Sequence, residues 1–225
     1  LPESCKYLQL FNVLTAMNIF LFSGYHENKT VTDNGGIMAF YINGKGKNPS
    51  GEVAYLLKKF ILHHTGKWSE IVFLCIGSDR ATGDCLGPYV GWHLSQQKLP
   101  GVFVYGTLNA PVHALNLEQS LKHIQKHHSN ALVIAIDASL GAKKHLGYIT
   151  IGNGSLYPGA GVQKNLPPVG DIHITGIVNI SGFLHPLTLQ TTRLATVIDL
   201  AETITGAILE IFSEDHSYAN SLICL

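Results

Sequence analysis

The chain has 225 residues, of which 46% are hydrophobic and only 13% charged, and its formal net charge is zero with histidines neutral. This composition supplies a large core and excludes global disorder, and the neutral balance argues against a dedicated nucleic-acid binder, which carries a basic excess. At this length one domain of about 150–200 residues with extra segments is the default. Cys5, Cys75, Cys85 and Cys224 are widely spread with no CxxC pair, so neither a disulfide framework nor a zinc knuckle is indicated. Reduced thiols in a cytosolic protein are the simplest reading.

In chain order, residues 10–22 are apolar but interrupted by Asn12 and Asn18, a stretch too short to span a bilayer, so no membrane partner is expected. Lys6 is balanced by Glu3 and no small-residue cleavage site follows, so a signal peptide is not indicated. Residues 1–45 are expected to be an extension without a function of its own, residues 46–213 the folded domain, and residues 214–225 a tail. Within 31–49, Gly and Asn predict turn, short strand, turn. Ser50 offers a helix cap, and Val53, Leu56, Leu57, Phe60 and Ile61 follow at amphipathic helical spacing.

The chain is organised around residues 71–91. Ile71 to Ile76 is a continuous apolar run, the pattern of a fully buried strand. It breaks at Gly77 into the loop Ser78-Asp79-Arg80-Ala81-Thr82-Gly83-Asp84, and Leu86-Gly87-Pro88 then opens a helix to about residue 97. A strand over 102–106 follows, then a loop through Pro111-Val112-His113. A helix over 116–128 comes next, with Lys122, His123, Lys126, His127 and His128 facing mostly water. Ala131 to Ile136 is a second continuous run ending at Asp137, residues 147–151 and 172–180 read as strands, and 189–212 as one long helix. The alternation predicts a three-layer α/β/α domain with a mainly parallel sheet.

Asp84 and Asp137 are the foremost chemical candidates. Parallel strands place their carboxyl ends on one edge of the sheet, so carboxylates that end or follow two such strands can converge. A close pair cannot ionise twice cheaply, which yields one acid and one base. The bland alternative is a pair of helix-cap aspartates. Asp79 and Arg80 are candidates for shaping the site, or else a salt bridge that fixes the loop. His173 could join Asp84 and Asp137 in a two-carboxylate, one-histidine metal site, or be a hydrogen-bonded core histidine. Gly159 and Gly161 could form an anion-binding backbone nest, or a tight turn. No P-loop, GxGxxG or GxSxG motif is present, and Cys85 has no histidine near it in sequence to make it a nucleophile.

Three stretches resemble the bacterial spore germination protease, in the same order. They are Gly77 to Pro88, Ile134-Ala135-Ile136-Asp137-Ala138, and Pro158-Gly159-Ala160-Gly161-Val162. Over about residues 50–212 the sequence is more similar to the YyaC family of sporulation proteins. Pro111 to Leu117, Pro158 to Lys164 and Gly170-Asp171-Ile172-His173 to Asn179 carry that likeness. The resemblance implies the phosphorylase/hydrolase-like fold shared with hydrogenase maturation proteases. It also implies that Asp84 and Asp137 correspond to the germination protease's proposed catalytic pair. His173-Ile174-Thr175-Gly176 is similar to the setting of a nickel-gripping histidine in the maturation proteases, which would put His173 beside the same pocket. Ser78 stands where the germination protease has asparagine, and Thr82-Gly83-Asp84-Cys85 departs from its usual pattern.

The resulting expectation is an aspartate-dependent peptidase of sporulation or germination, in the cytoplasm of the forespore or mother cell. Asp84 and Asp137 would be catalytic, and Asp79, Arg80, His173, Gly159 and Gly161 would bind substrate. The substrate would be a protein or peptide; no cofactor and no resident metal are expected, and family analogy suggests a homo-oligomer. The alternatives are a non-catalytic peptide-binding or regulatory relative, and a metal-dependent hydrolase using Asp84, Asp137 and His173.

Overall fold

The computed structural model describes residues 31–32, 38–158, 166–182 and 185–212. The apolar run at 71 forms the strand β3 (Glu70–Cys75), and Ile71 through Cys75 are fully buried. With water excluded from both faces, every one of these side chains contributes to packing, which is why the run carries no polar alternation. On one side β3 pairs in parallel with β4 (Val102–Tyr105), and on the other with β5 (Ala131–Gly141). β5 pairs in parallel with β7 (Ile172–Ile180). Beyond it the direction alternates through β6 (Tyr148–Asn153), β2 (Met38–Asn43) and the short β1 (Val31–Thr32). The order β1-β2-β6-β7-β5-β3-β4 leaves every strand but β6 and β1 pointing the same way, the mainly parallel sheet expected.

Helices cover both faces. On one, Ile71, Phe73, Cys75, Ile134, Ile136, Ile172 and Ile174 pack against α1 (Pro49–His63), α2 (Leu86–Ser95) and α5 (Leu194–Phe212). Phe73 meets Phe212 edge-on, with ring centroids 5.8 Å apart. On the other, Val72, Leu74, Ile76 and Ala135 meet Leu117 and Ile124 of α3 (Leu117–His127), with Val112, Leu156 and Val169 from the loops. Among the described residues no helix is long and apolar enough to cross a membrane.

Several boundaries differ from the sequence reading, each for a local reason. Asn48, not Ser50, caps α1: its Oδ1 accepts the Gly51 N–H at 3.1 Å, and Pro49 takes the first helical position, where its missing N–H costs nothing. The expected helix over 189–212 is two, α4 (His185–Gln190) and α5. Thr191 and Thr192 turn their hydroxyls back onto the Leu187 and Thr188 carbonyls, competing with the helical backbone and ending α4. β5 does not stop at Asp137 but runs on to Gly141, because β7 continues alongside it. Residues before 46 contribute to the sheet: β2 pairs with β6, and Ile42 lies in the core. His128 does not face water; its ring sits between Tyr105 Oη at 2.8 Å and Glu70 Oε1 at 3.1 Å.

Two glycines show what close packing demands. Gly106 has φ +85°, and a Cβ there would overlap the Cys75 carbonyl oxygen. Gly147 has φ +81° but open space around it. Gly147→Ala should therefore cost only the left-handed strain, about 1–2 kcal/mol, whereas Gly106→Ala adds a backbone clash and should cost clearly more. Urea unfolding of both variants checks this; equal losses would contradict it.

Candidate active site

The loop after β3 is tied down by its own backbone. Gly77 turns the chain at φ +138°, a conformation that favours glycine, and its N–H donates to the Val112 carbonyl at 2.8 Å. Ser78 N–H reaches the Asp84 carbonyl at 3.0 Å, and Asp84 N–H reaches Ala81 at 2.9 Å. The segment closes as a 3-10 turn over Thr82–Cys85, directly before α2. Gly83 lets α4 and its exit settle on this turn: a Cβ would stand 2.7 Å from Thr192 Oγ1 and 2.9 Å from the Leu189 carbonyl oxygen. Asp84 is therefore not a helix cap. The cap position of α2 is Cys85, and no side chain bonds there.

Asp137 is not a cap either, because it lies inside β5 and the chain continues as strand to Gly141. It stands opposite Thr175 of β7 and is 8% exposed, and its Oδ1 accepts the Ala138 N–H at 2.7 Å. Beside it runs a chain of hydroxyls. Thr175 Oγ1 lies 2.7 Å from Thr150 Oγ1 and 3.1 Å from Ser139 Oγ. Such hydroxyls donate and accept in turn, a lining suited to a group that changes protonation.

The two carboxyls interact. Burial pushes the Asp137 carboxyl well above the usual carboxylate range, the Asp84 charge raises it further, and the Ala138 N–H opposes both. Burial raises Asp84 too, but there the Ser78 N–H and His113 pull it back. The environments thus separate the pair: Asp137 is pushed up further than Asp84 and holds its proton to higher pH.

The remaining candidates are placed differently. Asp79 and Arg80 are exposed on the loop and form no ion pair with each other, and the Arg80 N–H bonds to Ser78 Oγ at 3.2 Å. The loop is fixed by backbone bonds instead of the salt bridge. His173 is buried with Nδ1 2.9 Å from the Gly154 carbonyl, opposite Ala135 in the strand register and two residues short of the Asp137–Thr175 level. That is the core-histidine arrangement. Among the described residues no three His, Cys, Asp or Glu side chains gather as a metal site requires, so Asp84, Asp137 and His173 do not form the trio. Gly159 and Gly161 lie outside the described residues. Burial raises the Cys85 thiol, and Asp84 and Asp79 raise it further, which is the wrong direction for a nucleophile.

His113 was not among the sequence candidates, yet it neighbours Asp84 electrostatically. It also lines a groove of about 490 Å³ at the carboxyl end of β4, with Tyr105, Thr107, Asn116 and Ser120. The missed signal is non-local: a parallel bridge between Ile76 and Val112 draws the 107–116 loop against the base of the Asp84 loop.

Residues 46–207 match the family described as "Protein of unknown function (DUF1256)". The chain belongs to this family. It is 47% identical over 164 residues to the uncharacterized protein YyaC of Bacillus subtilis (strain 168), the match covering 73% of this chain and 79% of that protein. Among solved structures it is similar to a [NiFe] hydrogenase maturation protease, HycI, from Thermococcus kodakarensis KOD1. That likeness has a TM-score of 0.47 and 20% identity, and covers 69% of this chain and 97% of the other.

The buried pair gives this DUF1256 protein a signed pH dependence. An unfolded aspartate titrates near pH 3.9, and Asp137 holds its proton to higher pH when folded. Between those limits the folded state binds the extra proton, so Asp137 makes stability fall as pH rises from about 4. Asp137→Asn removes that contribution and should gain stability relative to wild type as pH rises from about 4 to 8. Urea unfolding across this range checks it, and a parallel course for the two proteins would contradict it.

Proposed function

We propose that this protein is an aspartate-dependent peptidase acting on a protein or peptide of sporulation or germination, in the cytoplasm of the forespore or mother cell. The observation that carries the reading is the unequal pair, half-buried Asp84 and buried Asp137, at the carboxyl edge of a parallel sheet. The resemblance of the Asp84 and Asp137 motifs to those of the spore germination protease supports the substrate class and the cellular setting.

The chemistry follows from the two protonation states. Asp84 takes a proton from water, and the oxygen adds to the peptide carbonyl carbon. Asp137 gives its proton to the carbonyl oxygen, leaving a neutral tetrahedral adduct. On collapse the adduct returns a proton to Asp137, Asp84 passes its proton to the departing amine, and the C–N bond breaks. No step requires a cofactor. The Thr150–Thr175–Ser139 hydroxyls lie beside the protonated side of the pair, Thr175 standing opposite Asp137 in the sheet.

The test is to incubate the protein with a mixed peptide pool in the presence of a chelator and read new termini by mass spectrometry. Cleavage should survive chelation and fall by about 100- to 10,000-fold in Asp84→Asn and Asp137→Asn. Cleavage lost on chelation would overturn this in favour of the metal-dependent hydrolase. Peptide retained uncut by wild type would favour the binding relative.

A further inference from the structure

We propose that the outer edge of β4 and the groove beside it are a docking site for a peptide in extended form, which adds to the sheet as a further strand and lays a side chain in the groove. The inference rests on the peptidase reading and deepens it by naming the form in which substrate is taken, an unfolded segment; the docking itself needs no turnover.

β4 ends the sheet, and among the described residues no strand lies beyond it. The Ile71 N–H donates to the Gly101 carbonyl at 2.9 Å, and along a strand alternate residues turn their peptide groups to the same neighbour. Phe103 and Tyr105 therefore bond towards β3, and Val102 and Val104 face out. The Val102 N–H follows this, taking the Leu99 carbonyl at 3.1 Å instead of one on β3. Among the described residues nothing takes up the Val104 N–H or carbonyl. Sheet edges are ordinarily guarded by a charge, a proline or a bulge, and Val102-Phe103-Val104-Tyr105 has none of these. Phe103 is exposed as well. Such an edge supplies main-chain bonds to an incoming strand, and a neighbouring pocket selects its side chains.

The groove of about 490 Å³ is that pocket, and its size falls within the about 300–1,000 Å³ of ligand sites. Tyr105 and Val112 belong to the α3 side of the sheet, whereas the Val104 side chain packs on the other face, so Val104 borders the groove with its main chain. The walls are stiff. Thr107 and Ala110 exchange backbone bonds at 3.2 Å each, and Asn116 holds the His113 N–H at 2.8 Å and the Pro111 carbonyl at 3.0 Å. Tyr105 is fixed through its hydroxyl, 2.8 Å from His128 Nε2. Walls already ordered cost little on binding. Val112 joins the groove to the candidate active site: it lines the groove, and its carbonyl accepts the N–H of Gly77, where the Asp84 loop begins, at 2.8 Å. That continuity favours substrate over a second copy of the chain as the occupant. A four-residue edge also falls short of the roughly 800 Å² per partner that a stable dimer buries.

The experiment reads amide hydrogen exchange by nitrogen-15 NMR in Asp84→Asn protein, so that nothing is cut, with and without a mixed pool of short unstructured peptides. The Val104 N–H should exchange about tenfold more slowly at a pool concentration about ten times the dissociation constant, while the Phe103 N–H, already bonded to β3, should not change. Val104→Pro removes the outward donor and no bond to β3, so it should keep the urea midpoint of its parent and lose peptide retention. An unmoved Val104 N–H, or a folded Val104→Pro protein that retains the pool as its parent does, would overturn the proposal. If that variant does not fold, a pool N-methylated at every amide takes its place, and undiminished retention of that pool overturns the proposal equally. Slowing that follows protein concentration without peptide would make a second copy the occupant and overturn it too. Wild type that cuts peptides while Val104 stays unprotected would leave the peptidase reading standing alone. Protection without cutting would refute that reading and leave the docking site.

Discussion

Parallel pairing of β3 with β5 is the constraint on which the site depends. The register runs from Glu70 opposite Ala131 to Cys75 opposite Ile136, so the chain leaving β3 and the residue after Ile136 reach the same edge of the sheet. A one-residue slip would send Asp137 to the opposite face, among Ile134, Ile136 and Ile174. The pairing is held where water is absent: residues 71–75 are fully buried, and Ile134, Ala135 and Ile136 are likewise buried. The same burial that fixes the register makes the carboxyl at its end expensive to ionise. Fold stability and site chemistry therefore draw on one cause, the dry sheet interior.

The close backbone approaches around β3 serve this arrangement. Gly87 and Gly91 let α2 lie directly on the sheet: a Cβ at Gly87 would overlap the Ile76 carbonyl, and one at Gly91 the Gly106 carbonyl. α2 starts two residues after Asp84, so its depth on the sheet sets the height of the aspartate. A separate network, Glu70–His128–Tyr105, ties the start of β3 to the end of α3 and to the last residue of β4. The His128 ring meets Phe103 at a tilt, with ring centroids 4.3 Å apart. The edge strand β4 is thereby anchored to α3 and β3.

Much of this was legible in the sequence because it is local. A run of apolar residues without alternation reads as a buried parallel strand, and 172–180 is strand as expected. Asp84 and Asp137 stood out because each follows such a run. What was not legible depends on distant partners. β5 continues through Asp137 only because β7 runs beside it, and no pattern in Ala138-Ser139-Leu140-Gly141 announces that. The unequal settings of the two carboxyls come from how deeply each is buried, and a bridge between Ile76 and Val112 brings the loop carrying His113 towards Asp84. His173 misled for the opposite reason: its sequence setting resembled a ligand, but the Gly154 carbonyl already engages its Nδ1. The break between α4 and α5 rests on hydroxyl-to-carbonyl bonds that helical periodicity does not register.

The central claim is that one buried carboxyl carries a proton at neutral pH while its neighbour is ionised. Infrared difference spectroscopy of the resting protein reads this directly, as the carbonyl stretch of a protonated carboxyl. The account predicts such a band at pH 7 in wild type and its loss in Asp137→Asn, with the band kept in an Asp79→Asn control. A wild-type spectrum with every carboxyl ionised at pH 7 would contradict it.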